Sequence, residues 1–290
     1  MIVSEALRQA TTRLAEASDT ARLDAEVLMA HALGCSRTDV ILRHMGSDAP
    51  DAFAALIERR LCAEPVAYIT GHQEFYGLDF EVGPDVLIPR SDSETLVEAA
   101  REAFEGTPGP ARVLDLGTGS GALLLAALSL WPQAQGLGLE RSSGALAVAR
   151  RNAQALGMGE RADMRAGDWT QAGWAAGLGT FDLILANPPY IETAEPLAPS
   201  VRDFEPASAL FAGDDGLDDY RLLVPLIPAL LGRDGIALVE IGWTQGADVT
   251  ALAEGNGLVT RLHHDLGGRE RAVEMRRNGQ IALGKAQGVA

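Results

Sequence analysis

Cysteine and long apolar runs are both scarce in this chain. Only two cysteines, Cys35 and Cys62, occur among its 290 residues, and their separation matches no metal-ligand or disulfide framework. We therefore expect no metal site and no disulfide. No uninterrupted apolar stretch of about 20 residues is present, and the N-terminus has no basic segment followed by an apolar one. These absences argue against a membrane protein and favour a cytoplasmic one.

Positive charge is also in deficit. The chain has 24 lysines and arginines against 40 acidic residues, which gives a net charge of -16. A field of this sign repels the phosphate backbone, so we expect no direct binding to nucleic acid. The hydrophobic fraction of 47% is that of a globular protein with a full core, and the length suits one large and one small domain.

Three segments differ in their periodicity. Residues 1–64 repeat apolar side chains at intervals of three and four, which predicts a small helical bundle. Residues 65–89 hold two runs rich in aromatic and β-branched residues, 68–71 and 75–82, which predict a β-hairpin linker. Residues 90–290 alternate strand and helix patterns, which predicts a doubly wound α/β domain. Its predicted strands are 112–116, 136–139, 181–186 and 236–241, with an antiparallel pair, 258–263 and 271–276, closing the sheet.

A glycine-rich turn follows the first of these strands. Asp115 stands at the strand end, and glycines alternate through the next residues, Gly117, Thr118, Gly119, Ser120 and Gly121. Glycines without side chains let a ligand approach the backbone. The spacing differs from the dinucleotide fingerprint, and a carboxylate here suits a cationic amino-acid group better than a pyrophosphate.

Acidic and aromatic residues follow the next strands. Glu140 ends the second strand, where a carboxylate can accept both hydroxyls of a ribose. Asp168 and Trp169 follow a further apolar stretch, and the indole is suited either to an adenine ring or to core packing. With the glycine turn, these residues predict a nucleoside-containing ligand.

The most specific signal is the tetrapeptide Asn187, Pro188, Pro189 and Tyr190, directly after the strand 181–186. Two prolines cannot continue a strand ladder, so they fix a rigid turn. This turn directs the Asn187 carboxamide oxygen and the Pro188 carbonyl into the crevice at the strand ends, with the Tyr190 ring beside them. A planar NH2 group is a poor nucleophile, but two acceptors orient it and stabilise the positive charge that develops during methyl transfer. No strong base is required, and the five histidines form no triad or metal pattern.

Several motifs together resemble the bacterial release-factor glutamine methyltransferases, the PrmC/HemK family, over nearly the whole chain. They are residues 68–71, 75–77, 87–94, 115–121, 187–190, 204–206 and 265–271. The tetrapeptide 187–190 is shared with adenine methyltransferases, whereas 88–90 and 265–271 are more particular to this family. Glu140 departs mildly from the pattern, since many relatives have Asp there, and so does Ser91, where many have Pro.

The resemblance implies a Rossmann-like class I S-adenosylmethionine-dependent methyltransferase domain, a helical N-terminal bundle for substrate recognition and a hairpin linker. It implies methylation of the glutamine N5 in the Gly-Gly-Gln motif of peptide chain release factors, with S-adenosylhomocysteine as product. The implied cofactor contacts are Asp115, Gly117, Thr118, Gly119, Ser120, Gly121, Glu140, Asp168, Trp169 and Asn187. The implied glutamine site is Asn187, Pro188, Pro189 and Tyr190, with Arg90 and Glu94 at the pocket mouth.

Three alternatives remain open at this point. A glutamine methyltransferase that acts on a ribosomal protein would use the same tetrapeptide. An N6-adenine methyltransferase would present the same planar NH2 group, although the acidic charge and the absence of a basic target-recognition segment disfavour it. A non-catalytic scaffold of the same fold would be free to lose the tetrapeptide and Glu140. We expect a monomer that has release factors as its protein partner.

Overall fold

The computed structural model describes residues 1–279, which divide into two compact units. The first unit contains Met1–His72, Val82–Pro84 and Leu197–Glu205. The second contains Gln73–Glu81, Asp85–Pro196 and residues 206–279.

The elements follow one another with short connections. The helices are α1 (Val3–Leu14), α2 (Ala21–Leu33), α3 (Arg37–Asp39), α4 (Ala52–Leu61), α5 (Val66–Thr70), α6 (Glu94–Ala103), α7 (Ala122–Leu130), α8 (Ser143–Ala155), α9 (Pro199–Arg202), α10 (Asp218–Leu223), α11 (Ile227–Leu230) and α12 (Gly246–Gly255). The strands are β1 (His72–Phe75), β2 (Leu78–Glu81), β3 (Arg112–Leu116), β4 (Gln135–Glu140), β5 (Ala162–Ala166), β6 (Phe181–Ala186), β7 (Leu231–Glu240), β8 (Leu258–His264) and β9 (Glu270–Arg277). A π-helical turn spans Val40–His44, and single 3-10 turns span Ser91–Ser93, Ala207–Ala209 and Val224–Leu226.

The first unit is the predicted helical bundle. Leu7 of α1, Leu28 of α2 and Ile57 of α4 are fully buried in one apolar cluster, because each helix repeats its apolar residues along one face. Burial of each such side chain contributes about 1.5 to 3 kcal/mol before the entropy of ordering is subtracted. Helix α2 ends at Gly34, whose backbone is left-handed. The bundle prediction is confirmed.

The segment 65–89 differs in part from its prediction. Val66–Thr70 is the helix α5 and not the first strand of the hairpin, because it starts at Pro65, ends at the left-handed Gly71 and buries Ala67, Tyr68 and Ile69. The hairpin itself is β1 and β2. It turns through Tyr76 and Gly77, whose φ angles of 53° and 75° suit the two-residue turns of tight hairpins.

The large sheet has the strand order β5-β4-β3-β6-β7-β9-β8. Pairing is parallel from β5 to β7, and the β9 and β8 pairings are antiparallel, as predicted for the end of the sheet. The predicted ends of β3 and β6 match the structure. Strand β5 was missed because it alternates buried with exposed polar residues at the sheet edge. Strand β7 begins earlier than predicted, since Gly232, Asp234 and Gly235 break its apolar pattern.

The sheet creates a crevice where the strand order reverses. From β3 the chain proceeds outward through β4 and β5, and it then returns to the other side of β3 as β6. In such sheets ligands bind outside the carboxyl ends of the strands at this point. Leu114, Leu116, Ile184 and Ala186 are buried and form the floor of the sheet here. Among residues 1–279, no helix has the length and apolar character needed to cross a bilayer.

Candidate active site

A cleft opens at the carboxyl ends of β3, β4 and β6. Its volume is about 920 Å³ when the space open to solvent at its mouth is counted, which suits a cofactor-sized ligand. It brings together many of the residues predicted for the site, namely Arg90, Gly117, Thr118, Gly119, Ser120, Glu140, Trp169, Asn187 and Pro189. Asp115, Gly121, Asp168, Pro188 and Tyr190 do not line it.

The glycine turn depends on glycine for conformation and for space. Gly117, Gly119 and Gly121 have φ angles of 74°, 55° and 88°, in the left-handed region. A Cβ on Gly117 would lie 2.9 Å from the Trp169 ring, whereas a Cβ on Gly119 would meet nothing closer than 3.9 Å. The turn therefore packs against Trp169 at its start and is open at its middle, where a ligand can approach the backbone.

Gly138 of β4 supports the same turn from below. A Cβ at this position would lie 2.7 Å from the sulfur of Met164 and 2.9 Å from the Thr118 hydroxyl. No side chain fits there unless both neighbours move. The backbone amides of Gly117 and Thr118 also donate to the Leu139 carbonyl, each at 2.9 Å, so β4 holds the turn by both packing and hydrogen bonding.

Asp115 is 1% exposed and lies behind the turn. Its Oδ2 accepts a hydrogen bond from the Thr118 hydroxyl at 2.6 Å. Its Oδ1 has no hydrogen bond of normal geometry within the described residues. Burial raises the pKa of Asp115 to about 7, with the Thr118 hydrogen bond opposing this effect. A buried oxygen in this state is suited to a cationic or hydrogen-bonding partner.

Glu140 joins two loops at the cleft. One of its oxygens accepts the backbone N–H of Gly119 at 3.0 Å, and the other accepts the N–H of Ser142 at 2.8 Å. A carboxylate oxygen has more than one lone pair, so each can still accept a hydroxyl group. The additional methylene of Glu over Asp therefore does not prevent Glu140 from reaching the cleft, which it lines.

Trp169 forms one wall of the cleft and also packs against the core of the large sheet. Its indole N–H donates to Asp219 at 2.6 Å. Burial raises the pKa of Asp219, and the indole hydrogen bond opposes this. Asp168 instead accepts bonds from the backbone and hydroxyl of Thr170, which lower its pKa. Asp168 thus stabilises the loop that carries Trp169.

The segment 187–190 leaves β6 as a rigid turn. Pro188 and Pro189 are buried. The Asn187 Nδ2 donates to the Ser93 hydroxyl at 3.3 Å, which leaves the Asn187 Oδ1 as an acceptor for another group. The Tyr190 hydroxyl donates to Glu240 at 3.4 Å, and the Tyr190 carbonyl accepts from the Gln245 side chain at 3.0 Å. Burial raises the pKa of Tyr190 above its usual range.

Sequence reasoning missed Ser93, Glu240, Gln245 and Arg271. Ser93 was noted only within the motif 87–94. Glu240 had an available signal, since it is an acid at the carboxyl end of an apolar strand, the criterion that selected Glu140. Glu94, assigned to the pocket mouth, is placed elsewhere. It accepts the backbone N–H of Tyr76 at 3.0 Å and fixes the hairpin turn, and it does not line the cleft.

Comparisons with known proteins agree with this geometry. A family model described as the PrmC N-terminal domain matches residues 5–71, and a methyltransferase domain model matches residues 110–210. A Rhodospirillum rubrum protein named release factor glutamine methyltransferase is 47% identical over 262 residues, which are 88% of this chain and 79% of the relative. One of the same name from Cereibacter sphaeroides is 43% identical over 285 residues, which are 95% of this chain and 99% of the relative.

The chain belongs to the release factor glutamine methyltransferase family. A solved structure of a release factor-specific protein-(glutamine-N5) methyltransferase from Alicyclobacillus acidocaldarius is 28% identical. It covers 68% of this chain and 99% of its own, with a TM-score of 0.41. Membership confirms the resemblance read from the sequence and the class I methyltransferase fold predicted from it. In this member of the release factor glutamine methyltransferases, the tetrapeptide 187–190 and the glycine turn stand at neighbouring strand ends.

Proposed function

We propose that the chain methylates the side-chain amide nitrogen of the glutamine in the Gly-Gly-Gln motif of peptide chain release factors. S-adenosylmethionine is the methyl donor and S-adenosylhomocysteine the product. One observation carries the proposal: the turn that begins at Asn187 and the glycine turn after β3 line the same cleft. The names of these relatives support the glutamine and the release factor as substrate.

The residues present fit S-adenosylmethionine. Asp115 has a buried oxygen in need of a partner, the backbone is open at Gly119, and Glu140 has lone pairs for ribose hydroxyls. The proposed contacts are the backbone and hydroxyls of the glycine turn, Glu140 and the face of Trp169, with Asp115 acting from behind the turn. When bound, this cofactor supplies a methyl group on a positively charged sulfur.

Asn187 and Pro188 orient the nucleophile. An amide NH2 is planar, and its lone pair is delocalised into the carbonyl. If the Asn187 Oδ1 and the Pro188 carbonyl accept its two N–H groups, the nitrogen is held in one orientation, and both acceptors stabilise the positive charge that develops on it. The nitrogen becomes more acidic as that charge grows, so it can lose its proton without a strong base.

The cleft wall strengthens the proposed hydrogen bond to Asn187. Val86, Ile88, Ala122 and Leu123 line the cleft with apolar side chains. Water excluded by such a surface no longer competes for the Asn187 acceptor, and the local dielectric falls. This acceptor would then hold a glutamine amide more firmly than it could at an exposed surface.

The net charge of the chain and its family relatives distinguish between the alternative substrates. Adenine would present a similar NH2 group, but the net charge of -16 opposes the approach of a polynucleotide. A glutamine of a ribosomal protein would present the same side-chain amide to the site. The preference for the release factor therefore comes from the family relatives. Substrate recognition by the helical unit, a monomeric state and a cytoplasmic location stay predictions.

The decisive experiment offers all three substrate classes to one enzyme. The full chain is incubated with labelled S-adenosylmethionine and, separately, with a release factor, total ribosomal proteins and DNA, and any methyl group is mapped by mass spectrometry. A release factor whose motif glutamine is changed to Glu serves as the matched control, since it lacks only the amide nitrogen. Label on the motif glutamine supports the proposal. Label confined to a ribosomal protein or to adenine contradicts it.

A further inference from the structure

One buried carboxamide holds the end of the turn at 187–190. Gln245, the residue before α12, is 9% exposed. Its Nε2 donates to the Tyr190 carbonyl at 3.0 Å and to the Gly216 carbonyl at 3.2 Å. Its Oε1 accepts the backbone N–H of Gly242 at 2.9 Å. Three positions that are far apart in the sequence therefore meet on a single side chain.

The partners of Gln245 determine the orientation of its carboxamide. The carbonyls of Tyr190 and Gly216 can only accept a hydrogen bond, and the backbone N–H of Gly242 can only donate one. An inverted carboxamide would place its oxygen against both carbonyls and its NH2 group against the N–H. Both N–H groups of Gln245 are used, as is expected of a buried polar group. A carboxylate at this position would therefore repel both carbonyls.

Two glycines make room for this arrangement. Gly216 has a φ angle of 69°, and a Cβ there would clash with the Tyr190 carbonyl oxygen and lie 2.7 Å from the Gln245 Nε2. A Cβ on Gly242 would lie 2.9 Å from the Gln245 Oε1 and 3.5 Å from the Tyr190 ring. Backbone thus approaches both side chains at distances that only glycine permits.

Gln245 connects the turn to regular secondary structure. Ile191, the residue after the turn, forms an isolated bridge with Phe211, which lies in a loop. Gly242, in contrast, follows β7, and β7 pairs with β6. The Gln245 carbonyl accepts the backbone N–H of Val249 in α12 at 3.0 Å. The turn is therefore held at its start by β6 and at its end by Gln245, through β7 and α12.

The turn itself is stiff, so a displacement at its end is passed along it. Each proline ring fixes the φ angle at about −65°, which applies to Pro188 and Pro189. The residue before a proline is restricted as well, which applies to Asn187 and again to Pro188. Three consecutive residues thus have little freedom to absorb a shift of Tyr190. If Tyr190 moves, the acceptors on Asn187 and Pro188 are displaced with it.

We propose that Gln245 is a positioning residue that holds the Tyr190 end of the turn in place. With that end fixed, the Asn187 Oδ1 and the Pro188 carbonyl keep the orientation that receives the amide nitrogen. Gln245 lies outside the lining of the cleft, so it acts through Tyr190. The inference rests on the proposed function for its effect on turnover. Its effect on the Tyr190 carbonyl does not depend on any substrate.

The first test observes the Tyr190 carbonyl directly. Tyrosine labelled with 13C at the carbonyl, combined with isoleucine labelled with 15N, selects Tyr–Ile peptide bonds, and the chain has two of them, at 68–69 and 190–191. The Tyr190→Phe variant identifies the second signal in the full-length enzyme. We expect Gln245→Met, which keeps the length of the side chain, to shift this signal upfield because the carbonyl loses a hydrogen bond. The signal from 68–69 should stay in place.

The second test separates positioning from a loss of folded protein. Turnover on the release factor is expressed per site that binds S-adenosylmethionine, and these sites are counted by calorimetry. Gln245→Met should lower kcat per site about 10-fold, and Gln245→Glu on the order of 100-fold, as expected for a misplaced reacting group. The dissociation constant of S-adenosylmethionine should stay unchanged. A merely structural role would reduce the number of binding sites and leave kcat per site unchanged.

Asn152→Asp is the matched variant on the cofactor side. Asn152 is also a buried carboxamide, and its Nδ2 donates to the carbonyls of Ser120 at 2.9 Å and Glu81 at 3.0 Å. Its Oδ1 accepts the backbone N–H of Glu81 at 2.8 Å. It therefore holds the end of the glycine turn as Gln245 holds the end of the turn at 187–190. Asn152→Asp should weaken cofactor binding more than it lowers kcat, and it should leave the Tyr190 signal in place.

The outcomes distinguish the positioning role from the proposed function. A Tyr190 signal that stays in place in the Gln245 variants overturns the positioning role, and so does a signal that moves while kcat per site is unchanged. A wild type that leaves the release factor unmethylated overturns the proposed function. The variants are then compared on the ribosomal protein or the DNA that it methylates, where the expected fall in kcat supports the positioning role. If Gln245→Glu does not fold, Gln245→Met alone decides the question.

Discussion

Two glutamates end two strands of the same sheet, and their surroundings differ. Glu140 of β4 has both oxygens engaged by backbone N–H groups, of Gly119 and Ser142. Within residues 1–279, Glu240 of β7 has one oxygen without a hydrogen bond of normal geometry, and its other oxygen accepts from the Tyr190 side chain. A carboxylate bound by backbone acts as an anchor for loops. One surrounded by side chains can change protonation and reorganise its neighbours.

The comparison divides the cleft into a side that binds the cofactor and a side that promotes methyl transfer. On the side of Glu140, the glycine turn and Trp169 form walls suited to a nucleoside. On the side of Glu240, the Asn187 amide, which donates to Ser93, is suited to the reacting nitrogen. Changes on the first side should mainly alter affinity for the cofactor, and changes on the second should mainly alter turnover. The following predictions test this division, from the largest expected effect to the smallest.

Asn187→Ala should produce the largest effect. It removes one of the two proposed acceptors from the developing charge, so we expect kcat to fall about 100-fold to 1,000-fold. The dissociation constant of S-adenosylmethionine, measured by calorimetry, should change by only a modest factor. The control is Asn256→Ala, since Asn256 bonds to a backbone carbonyl of α12 and does not line the cleft. Turnover retained in Asn187→Ala would remove Asn187 from the proposed mechanism.

Glu140→Ala should act on affinity instead. It releases the backbone amides of Gly119 and Ser142 and removes the proposed acceptor for ribose hydroxyls. Hydrogen bonds to a charged group contribute about 1.5 to 3 kcal/mol, so cofactor binding should weaken by about 10-fold or more. At saturating cofactor, kcat should fall much less than in Asn187→Ala. Equal losses in both variants would contradict a division of the cleft into two sides.

Glu240→Gln should stabilise the fold above neutrality. The pKa of Glu240 is raised from 4.5 to about 7, so between these values the native state keeps a proton that the unfolded chain has lost. Stability therefore falls as the pH rises through this interval. An amide removes this dependence, and the gain in unfolding free energy should reach up to about 3 kcal/mol above neutrality and be small near pH 4.5.

Glu274→Gln should change the stability near neutral pH in the opposite direction. Its hydrogen bonds to His263 and Arg276 lower the pKa of Glu274 in spite of burial, so its ionised form contributes stability at neutral pH, and this is lost as the pH falls. Urea unfolding near neutral pH should show Glu240→Gln more stable than the wild type and Glu274→Gln less stable. The same sign for both variants would show that burial alone determines the effect.

Trp169→Phe should have the smallest effect. It keeps an aromatic wall against Gly117 but removes the N–H that Asp219 accepts at 2.6 Å. We expect cofactor affinity to fall about two-fold to five-fold, corresponding to about 0.5 to 1 kcal/mol, with kcat unchanged. A larger effect on kcat than on cofactor affinity would place Trp169 on the side of the cleft that promotes methyl transfer.

The sequence predicted the elements whose signals are local. Strands β3 and β6 are apolar runs buried on both faces, and each leads directly into a motif with its own chemistry. The run 68–71 was predicted wrongly, since its β-branched and aromatic side chains resemble a strand as much as the helix Val66–Thr70 in which most of it lies. Strand β5 has only two buried residues, too few for a periodic signal.

The contacts of Asn187 and Tyr190 could not be predicted in the same way. Asn187 and Ser93 are 94 residues apart, and Glu240 reaches Tyr190 only because β7 pairs with β6 in the parallel sheet. Contacts of this kind depend on strand order, which no local pattern encodes. The glycine turn and the tetrapeptide 187–190 were predicted because each is complete within one segment.

Gly138 has a consequence for how this chain can change over generations. Its missing side chain leaves room for Thr118 on one side and Met164 on the other, so we expect positions 118, 138 and 164 to vary together in evolution. Alanine at 138 would require Thr118 and Met164 to move or to be replaced by smaller residues, and Thr118 lines the cleft. Substitutions at these three positions should therefore tend to appear together.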